Sequence, residues 1–168
     1  MATTQAQLAE RTAKLLLDDN WDGNVPLDVS KFQGTVGLRF VEVTQLADAR
    51  LGELELDAAS KNGTARVRSG LSPVHHRWVQ AHQLGHWLIH TLTAVSPTKV
   101  QKPEDFSSSV KGSSKLANEV AAALLVPLCA LKDAVQEHGK NLDALSAHFG
   151  VPKLAVEKRL KALNSLAR

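Results

Sequence analysis

The sequence is poor in cysteine, in long apolar runs and in excess charge. Its 168 residues include a single cysteine, Cys129, so an internal disulfide bond is impossible. That cysteine lies in an apolar predicted helix, where we expect it to be a buried small side chain. No apolar run is long enough to span a bilayer, and we find no secretory signal at the start. These features predict a cytoplasmic chain with no membrane partner.

The charge and composition are those of an ordinary globular protein. Hydrophobic residues make up 43% of the sequence, charged residues make up 22%, and the net charge is +3 at neutral pH. A charge this small is compatible with a nucleic acid nearby but gives no argument for one. The length is typical of one domain with its own core, so we expect a single domain over residues 1–168.

The first part of the sequence predicts one helix followed by a small sheet. Thr4 and Gln7 have capping-box spacing at the start of a helix that runs from about Gln5 to Asp18. Alternation of apolar and polar residues predicts three strands, at about residues 36–40, 51–57 and 64–68. Lys61-Asn62-Gly63 is a strong signal for the turn of a hairpin. We therefore expect a small antiparallel sheet.

The remainder of the sequence predicts helices almost throughout. Ser72 and Pro73 are suited to the N-cap and the first turn of a helix that extends to about His90. Residues 91–114 lack periodicity and contain prolines, serines and a glycine, which predicts a long loop. Further helices are expected at residues 115–126, 128–137, 141–149 and 152–166, the last two forming a C-terminal pair (about 141–168).

The most informative stretch is the predicted histidine helix. His82 and His86 are four residues apart, so their side chains lie on the same face of an α-helix. Two imidazoles at this spacing can bind one Zn²⁺ ion, as in the H-E-x-x-H signature of zinc peptidases. In that signature a glutamate follows the first histidine and takes a proton from the attacking water. Here Gln83 occupies that position, and an amide cannot accept a proton at neutral pH.

Plainer interpretations of the histidine pair stay open at this stage. Two histidines at this spacing occur by chance, and each could be an ordinary packed or exposed side chain. Gly85 allows another element to approach the helix closely, and neighbouring tryptophans and leucines supply a packing surface. These features fit a buried functional helix and also a plain core helix. His90 continues the stripe one turn further on, which is too far to share one tetrahedral ion, so we expect a structural role for it.

Four blocks of the sequence occur in a recognisable order. The main block is RWVQAHQLGHWLIH, at Arg77 to His90. The others are VPLDV at residues 25–29 with VGL at 36–38, ANEVAAALLVP at 117–127, and AHFGVP at 147–152. Together they resemble the ImmA/IrrE-type metallopeptidases, whose histidine helix carries H-E-x-x-H and whose later helix contains an Ala-Asn pair.

This resemblance implies an α+β, zincin-like fold, in which a small antiparallel sheet packs on the histidine helix and a helical C-terminal half follows. It also implies a cytoplasmic zinc endopeptidase of a kind often found in phages and mobile elements. Members typically act on a helix-turn-helix repressor and so regulate transcription. Carried over to this sequence, His82 and His86 would be Zn²⁺ ligands and Gln83 would occupy the general-base position.

The third ligand of the family is a glutamate shortly before the Ala-Asn pair. The corresponding positions here, residues 113–116, carry no carboxylate. Glu119 lies about one helical turn later and is the nearest candidate for the ligand, although it fits a solvated helix residue at least as well. Glu104 and Asp105 in the long loop are further candidates.

The two departures, at the general base and at the third ligand, favour a member of the family that has given up hydrolysis. We expect an inactive or crippled peptidase fold that recognises a regulatory protein such as a helix-turn-helix repressor, with Zn²⁺ held weakly by two imidazoles. The alternative is an active zinc endopeptidase that cleaves a repressor and is seen here as a Glu-to-Gln inactivated variant. Whether the chain is an enzyme therefore stays open.

A second alternative is a DNA-binding module formed by the two C-terminal helices. A Gly-containing turn joins them, as in a helix-turn-helix, and their basic residues are Lys153, Lys158, Arg159 and Lys161. The same helices carry a stripe of leucine and valine that fits packing on a core better. We therefore do not expect direct binding of nucleic acid.

Overall fold

The computed structural model describes residues 4–57, 62–93 and 113–166. A short 3₁₀ turn at Val29–Phe32 and another at Ala47–Ala49 connect the regular elements of the first part. In chain order, the helices and strands are α1 (Gln5–Asn20), α2 (Gln33–Val36), β1 (Leu38–Val43), β2 (Gly52–Asp57), β3 (Asn62–Arg68), α3 (Pro73–Thr93), α4 (Ser113–Leu125), α5 (Leu128–His138), α6 (Leu142–Phe149) and α7 (Lys153–Leu166). The fold is α+β with a helical majority, as the sequence predicts.

The predicted capping box is present at the start of α1. The Thr4 hydroxyl accepts a hydrogen bond from the Gln7 backbone N–H at 3.2 Å, and the Gln7 side chain accepts one from the Thr4 N–H at 2.9 Å. Two of the N–H groups that a helix start leaves unpaired are thereby satisfied. The prediction of this helix is confirmed, and α1 continues two residues beyond the expected end.

The sheet is mixed, so the prediction of an antiparallel sheet is wrong for one of its two pairings. The strand order is β1-β3-β2. Strand β2 pairs with β3 in antiparallel fashion, whereas β1 pairs with β3 in parallel. The chain between β1 and β2 crosses over and leaves room for β3 between them. Apolar alternation reveals the buried face of each strand but carries no information about which strands are neighbours.

The predicted hairpin turn is also displaced. Asn62 and Gly63 are the first two residues of β3, where Asn62 pairs with Asp57 and Gly63 pairs with Leu56. Residues 58–61, which join the two strands, lie outside the part of the chain that the structure describes. The Asn-Gly signal therefore marks the beginning of the returning strand.

Helix α3 lies between the sheet and helix α4. Its Trp78, Val79 and Leu84 are buried, and Trp87 donates a hydrogen bond from its indole N–H to the Val36 carbonyl at 2.8 Å. Gly85 lies against the backbone of α4, where a Cβ atom would come within 2.7 Å of the Ala117 carbonyl oxygen. The missing side chain lets the two helices approach closely.

Helix α4 is almost completely buried and ends just before Pro127, as predicted. Buried Arg159 of α7 donates to the Val126 carbonyl at 2.9 Å and forms an ion pair with Glu10 of α1. This single guanidinium joins α7, α1 and the end of α4. The predicted loop at 91–114 is shortened at both ends by α3 and α4, and residues 94–112 lie outside the described residues.

Cys129 is exposed, so the prediction of a buried cysteine is wrong. Helix α5 places Leu131 and Ala134 in the core. Cys129 precedes Leu131 by two residues, which is about 200° around a helix of 3.6 residues per turn. An apolar helix segment is therefore not buried on every side. In the described part of the chain, no helix is long and apolar enough to cross a membrane.

We predict that Gly85→Ala destabilises the protein by about 1–3 kcal/mol, because the added methyl collides with the α4 backbone. Chemical denaturation monitored by tryptophan fluorescence measures the change. Gly34→Ala is the matched control, since a Cβ atom at Gly34 would meet nothing within 4 Å. Equal stabilities for the two variants would contradict the close contact of α3 and α4.

Candidate functional site

The two histidines of α3 come together as the sequence predicts. The rings of His82 and His86 have centroids 4.7 Å apart and are inclined by 77°, an edge-to-face arrangement. Only 5% of the surface of His82 is exposed. His86 is partly buried, with its Nε2 atom enclosed, so the two imidazoles lie side by side at the edge of the core. Their assignment as metal ligands stays a prediction.

Asn118 of α4 completes this group, and sequence reasoning did not give it a role. Its side-chain oxygen lies 2.7 Å from Nδ1 of His82, and both residues are buried. A carboxamide oxygen only accepts hydrogen bonds, so this contact requires a hydrogen on Nδ1 of His82. The available signal was the Ala-Asn pair, which places a polar side chain within an otherwise apolar helix.

Burial keeps both histidines neutral. It lowers the pKa of His82 to about 3, with a smaller contribution from the nearby His86, while the hydrogen bond to Asn118 opposes the shift. Burial also lowers the pKa of His86 to about 4. A metal ion binds the neutral form of an imidazole. Because both rings are already neutral at neutral pH, neither has to lose a proton before a metal ion binds.

Gln83 is completely buried under the sheet. A Cβ atom at Gly52, the first residue of β2, would lie 2.8 Å from Nε2 of Gln83 and 2.6 Å from Cγ1 of Val79. The backbone of β2 therefore rests directly on the side chain of Gln83, for which the family resemblance predicts the general-base position. An amide at this point can exchange hydrogen bonds but cannot hold a proton from water.

Two buried polar atoms of the helices α3 and α4 have no partner in the described residues. Nε2 of His86 and Oε2 of Glu119 are buried and make no hydrogen bond within the described ranges. Leaving a buried polar atom unpaired costs about 1–3 kcal/mol, and such atoms often face an ion or a water molecule. Both atoms are chemically suited to bind Zn²⁺.

A complete zinc site of the family type is nevertheless not assembled. Among the residues that the structure describes, no three His, Cys, Asp or Glu side chains are grouped so as to hold a metal ion. Where the resemblance expects the third ligand, Lys115 is exposed and Leu116 lies in the core. The residues present fit an ion held by two imidazoles, and they do not complete a three-ligand set.

Comparison with known proteins identifies the family. A family model described as the IrrE N-terminal-like domain, a peptidase family, matches residues 55–161. This match covers the end of the second strand, the third strand, the histidine helix and most of the helical half. The chain belongs to the IrrE-like peptidase family. Members of this family are generally zinc-dependent.

A solved structure has the same fold as this IrrE-like chain. It is a transcriptional regulator of Mycobacterium tuberculosis, with a TM-score of 0.63 and 23% sequence identity. The match covers 90% of this chain and 46% of the regulator, so this chain spans about half the length of that protein. No curated protein matches the sequence.

We predict that the free energy of unfolding falls by a few kcal/mol between pH 7 and pH 4 when a chelator is present. Each histidine has a folded pKa below its unfolded value near 6.5, so the unfolded state binds more protons as the pH falls. The contribution of the two neutral histidines to the free energy of unfolding is complete above pH 6.5 and is lost as the pH approaches 3–4. Urea denaturation at a series of pH values measures the decline.

His138 provides the control for this pH dependence. It lies at the end of α5, against His148, with a half-exposed side chain and outside the buried pair. His138→Gln should leave the decline unchanged. A stability that stays flat from pH 7 to pH 4 would contradict the burial of two neutral histidines.

Proposed function

We propose that this chain is a regulatory protein of the IrrE-like family that recognises another protein and has lost most or all of its peptidase activity. The observation that carries the proposal is the amide of Gln83, enclosed between the histidine helix and the start of β2. Loss of a positioned general base typically reduces the rate by about 10²–10⁴. The similarity to a transcriptional regulator supports a regulatory role, and the family resemblance favours a helix-turn-helix repressor as the partner.

Zn²⁺ is the metal that we propose for this site, with His82 and His86 as its ligands. Glu119 is the nearest candidate for a third ligand, because its Oε2 is buried and makes no hydrogen bond within the described part of the chain, but among the described residues it is not grouped with the two histidines. When bound, zinc would polarise a carbonyl group as a Lewis acid. Gln83 would donate or accept hydrogen bonds there and would not move a proton. This combination supports binding and orientation of a peptide without its hydrolysis.

The outer edge of β2 is the surface that we propose for recognition. Over the described residues, the sheet ends at β2 on this side, and Gly52 of that strand contacts the histidine helix. An extended segment of a partner protein can add to such an edge through backbone hydrogen bonds. The partner would then run past the histidine pair.

An active endopeptidase, with Gln83 as a Glu-to-Gln inactivated variant, is the alternative. The pairing of His82 with His86 and their neutral state favour it, since these features suit a metal site. The absence of a carboxylate at residues 113–116 weighs against it. An inactivated variant would not need to lose the third ligand as well.

The second alternative, DNA binding by α6 and α7, receives less support. Lys153 is paired with Asp143 and Lys161 with Glu157, while Arg159 is buried between helices. The carboxylates beside Lys153 and Lys161 lower the positive charge that this helix pair presents, and the guanidinium of Arg159 is used inside the fold.

We predict that Gln83→Glu does not produce a peptidase. The carboxylate would restore a general base but not the third ligand, so cleavage of fluorescent casein should stay at background in zinc-containing buffer. Zinc content of both purified proteins, measured by mass spectrometry, shows whether the metal is present during the assay. Gln83→Glu combined with His86→Ala is the control for contaminating proteases.

Two outcomes would decide against this proposal. If Gln83→Glu cleaves at least 100-fold faster than the wild-type chain and the double variant does not, the active-enzyme alternative is correct. If the wild-type chain itself cleaves at a rate that depends on His86, hydrolysis has not been lost.

A further inference from the structure

We propose that Asn118 is a positioning residue that selects the tautomer of His82. It accepts the Nδ1 hydrogen and thereby makes Nε2 the nitrogen that can bind a metal ion. This inference deepens the proposed two-histidine site and rests on it. The tautomer itself can be measured without any metal.

The geometry leaves little freedom in this contact. The Nδ1 and Oδ1 atoms are 2.7 Å apart, and His82 and Asn118 are only 5% and 8% exposed. A short hydrogen bond between buried groups is not exchanged for water without cost. His82 therefore keeps its Nδ1 hydrogen as long as α4 stays in place.

The selected tautomer is the less common one. In water, a neutral histidine side chain favours the form with hydrogen on Nε2. A protein must therefore supply an acceptor for Nδ1 if the Nε2 lone pair is to be available. Partners of this kind also hold the ring in one orientation, and their removal typically reduces metal affinity by about 10–100-fold.

The neighbouring residue explains how Asn118 reaches the ring. Ala117 contacts Gly85 so closely that a Cβ atom on the glycine would meet the Ala117 carbonyl oxygen at 2.7 Å. The absence of that atom brings the α4 backbone against α3, and Asn118 follows directly in sequence. The close approach of α3 and α4 therefore also brings Asn118 within hydrogen-bonding distance of His82.

The test compares three proteins in two measurements. The wild-type chain, Asn118→Asp and Asn118→Leu are labelled with ¹⁵N-histidine, and the imidazole nitrogen shifts are recorded by NMR in the presence of a chelator. Aspartate keeps an acceptor oxygen, whereas leucine has a similar size and none. Binding of Co²⁺ alone is then measured by calorimetry after the chelator has been removed.

We expect His82 to carry its hydrogen on Nδ1 in the wild-type chain and in Asn118→Asp. In Asn118→Leu we expect the Nε2–H form and a Co²⁺ affinity about 10–100-fold lower. The rings of His138 and His148 are internal controls, because their contact lies on α5 and α6. Unchanged shifts for these two rings show that the variants are folded.

An Nε2–H form in the wild-type chain would overturn the inference, even if Asn118→Leu fails to fold. Retention of both the Nδ1–H form and the affinity in Asn118→Leu would overturn it as well. If the tautomers behave as expected and none of the three proteins binds Co²⁺, the role of Asn118 is supported. The proposed metal site then fails separately.

Discussion

The close contact between α3 and α4 is the constraint on which the rest of this site depends. It exists because Gly85 has no side chain, so the backbone of Ala117 can lie directly against the histidine helix. That approach brings Asn118 within hydrogen-bonding distance of His82. It also removes the histidine pair from water, which is the reason for the low pKa values of both rings.

The other side of the histidine helix is closed by a second glycine. Gly52 begins β2 and lies directly against the side chains of Gln83 and Val79, because it has no side chain of its own. The ring of His82 therefore faces α4, and the amide of Gln83 faces the sheet. This arrangement keeps the two imidazoles together, while an uncharged amide follows the first histidine in the sequence.

Such a site has an energetic cost that must be offset by the surrounding core. His82 and the amide of Gln83 are buried, and the enclosed atoms His86 Nε2 and Glu119 Oε2 make no hydrogen bond within the described residues, which opposes folding. Apolar α4 and the ion pair of Arg159 with Glu10 hold the helical half together around them. Retention of costly polar groups in a core is easier to understand if they still bind something.

Several features could be predicted from the sequence because they depend on residues close together in the chain. Examples are the capping box of α1, the start of α3 at Pro73 and the end of α4 before Pro127. The pairing of His82 with His86 is another. Each follows from local hydrogen bonding or from helical spacing over a few residues. The presence of Gln83 directly after the first histidine is likewise visible in the sequence alone.

The tertiary structure decided the features that join distant parts of the chain. Two examples are the parallel pairing of β1 with β3 and the exposure of Cys129. Two more are the position of Gly52 over Gln83 and the hydrogen bond from His82 to Asn118. His82 and Asn118 are 36 residues apart, and no local pattern specifies that they meet. Their contact is set by how closely two helices can pack, and that distance is a property of the folded chain.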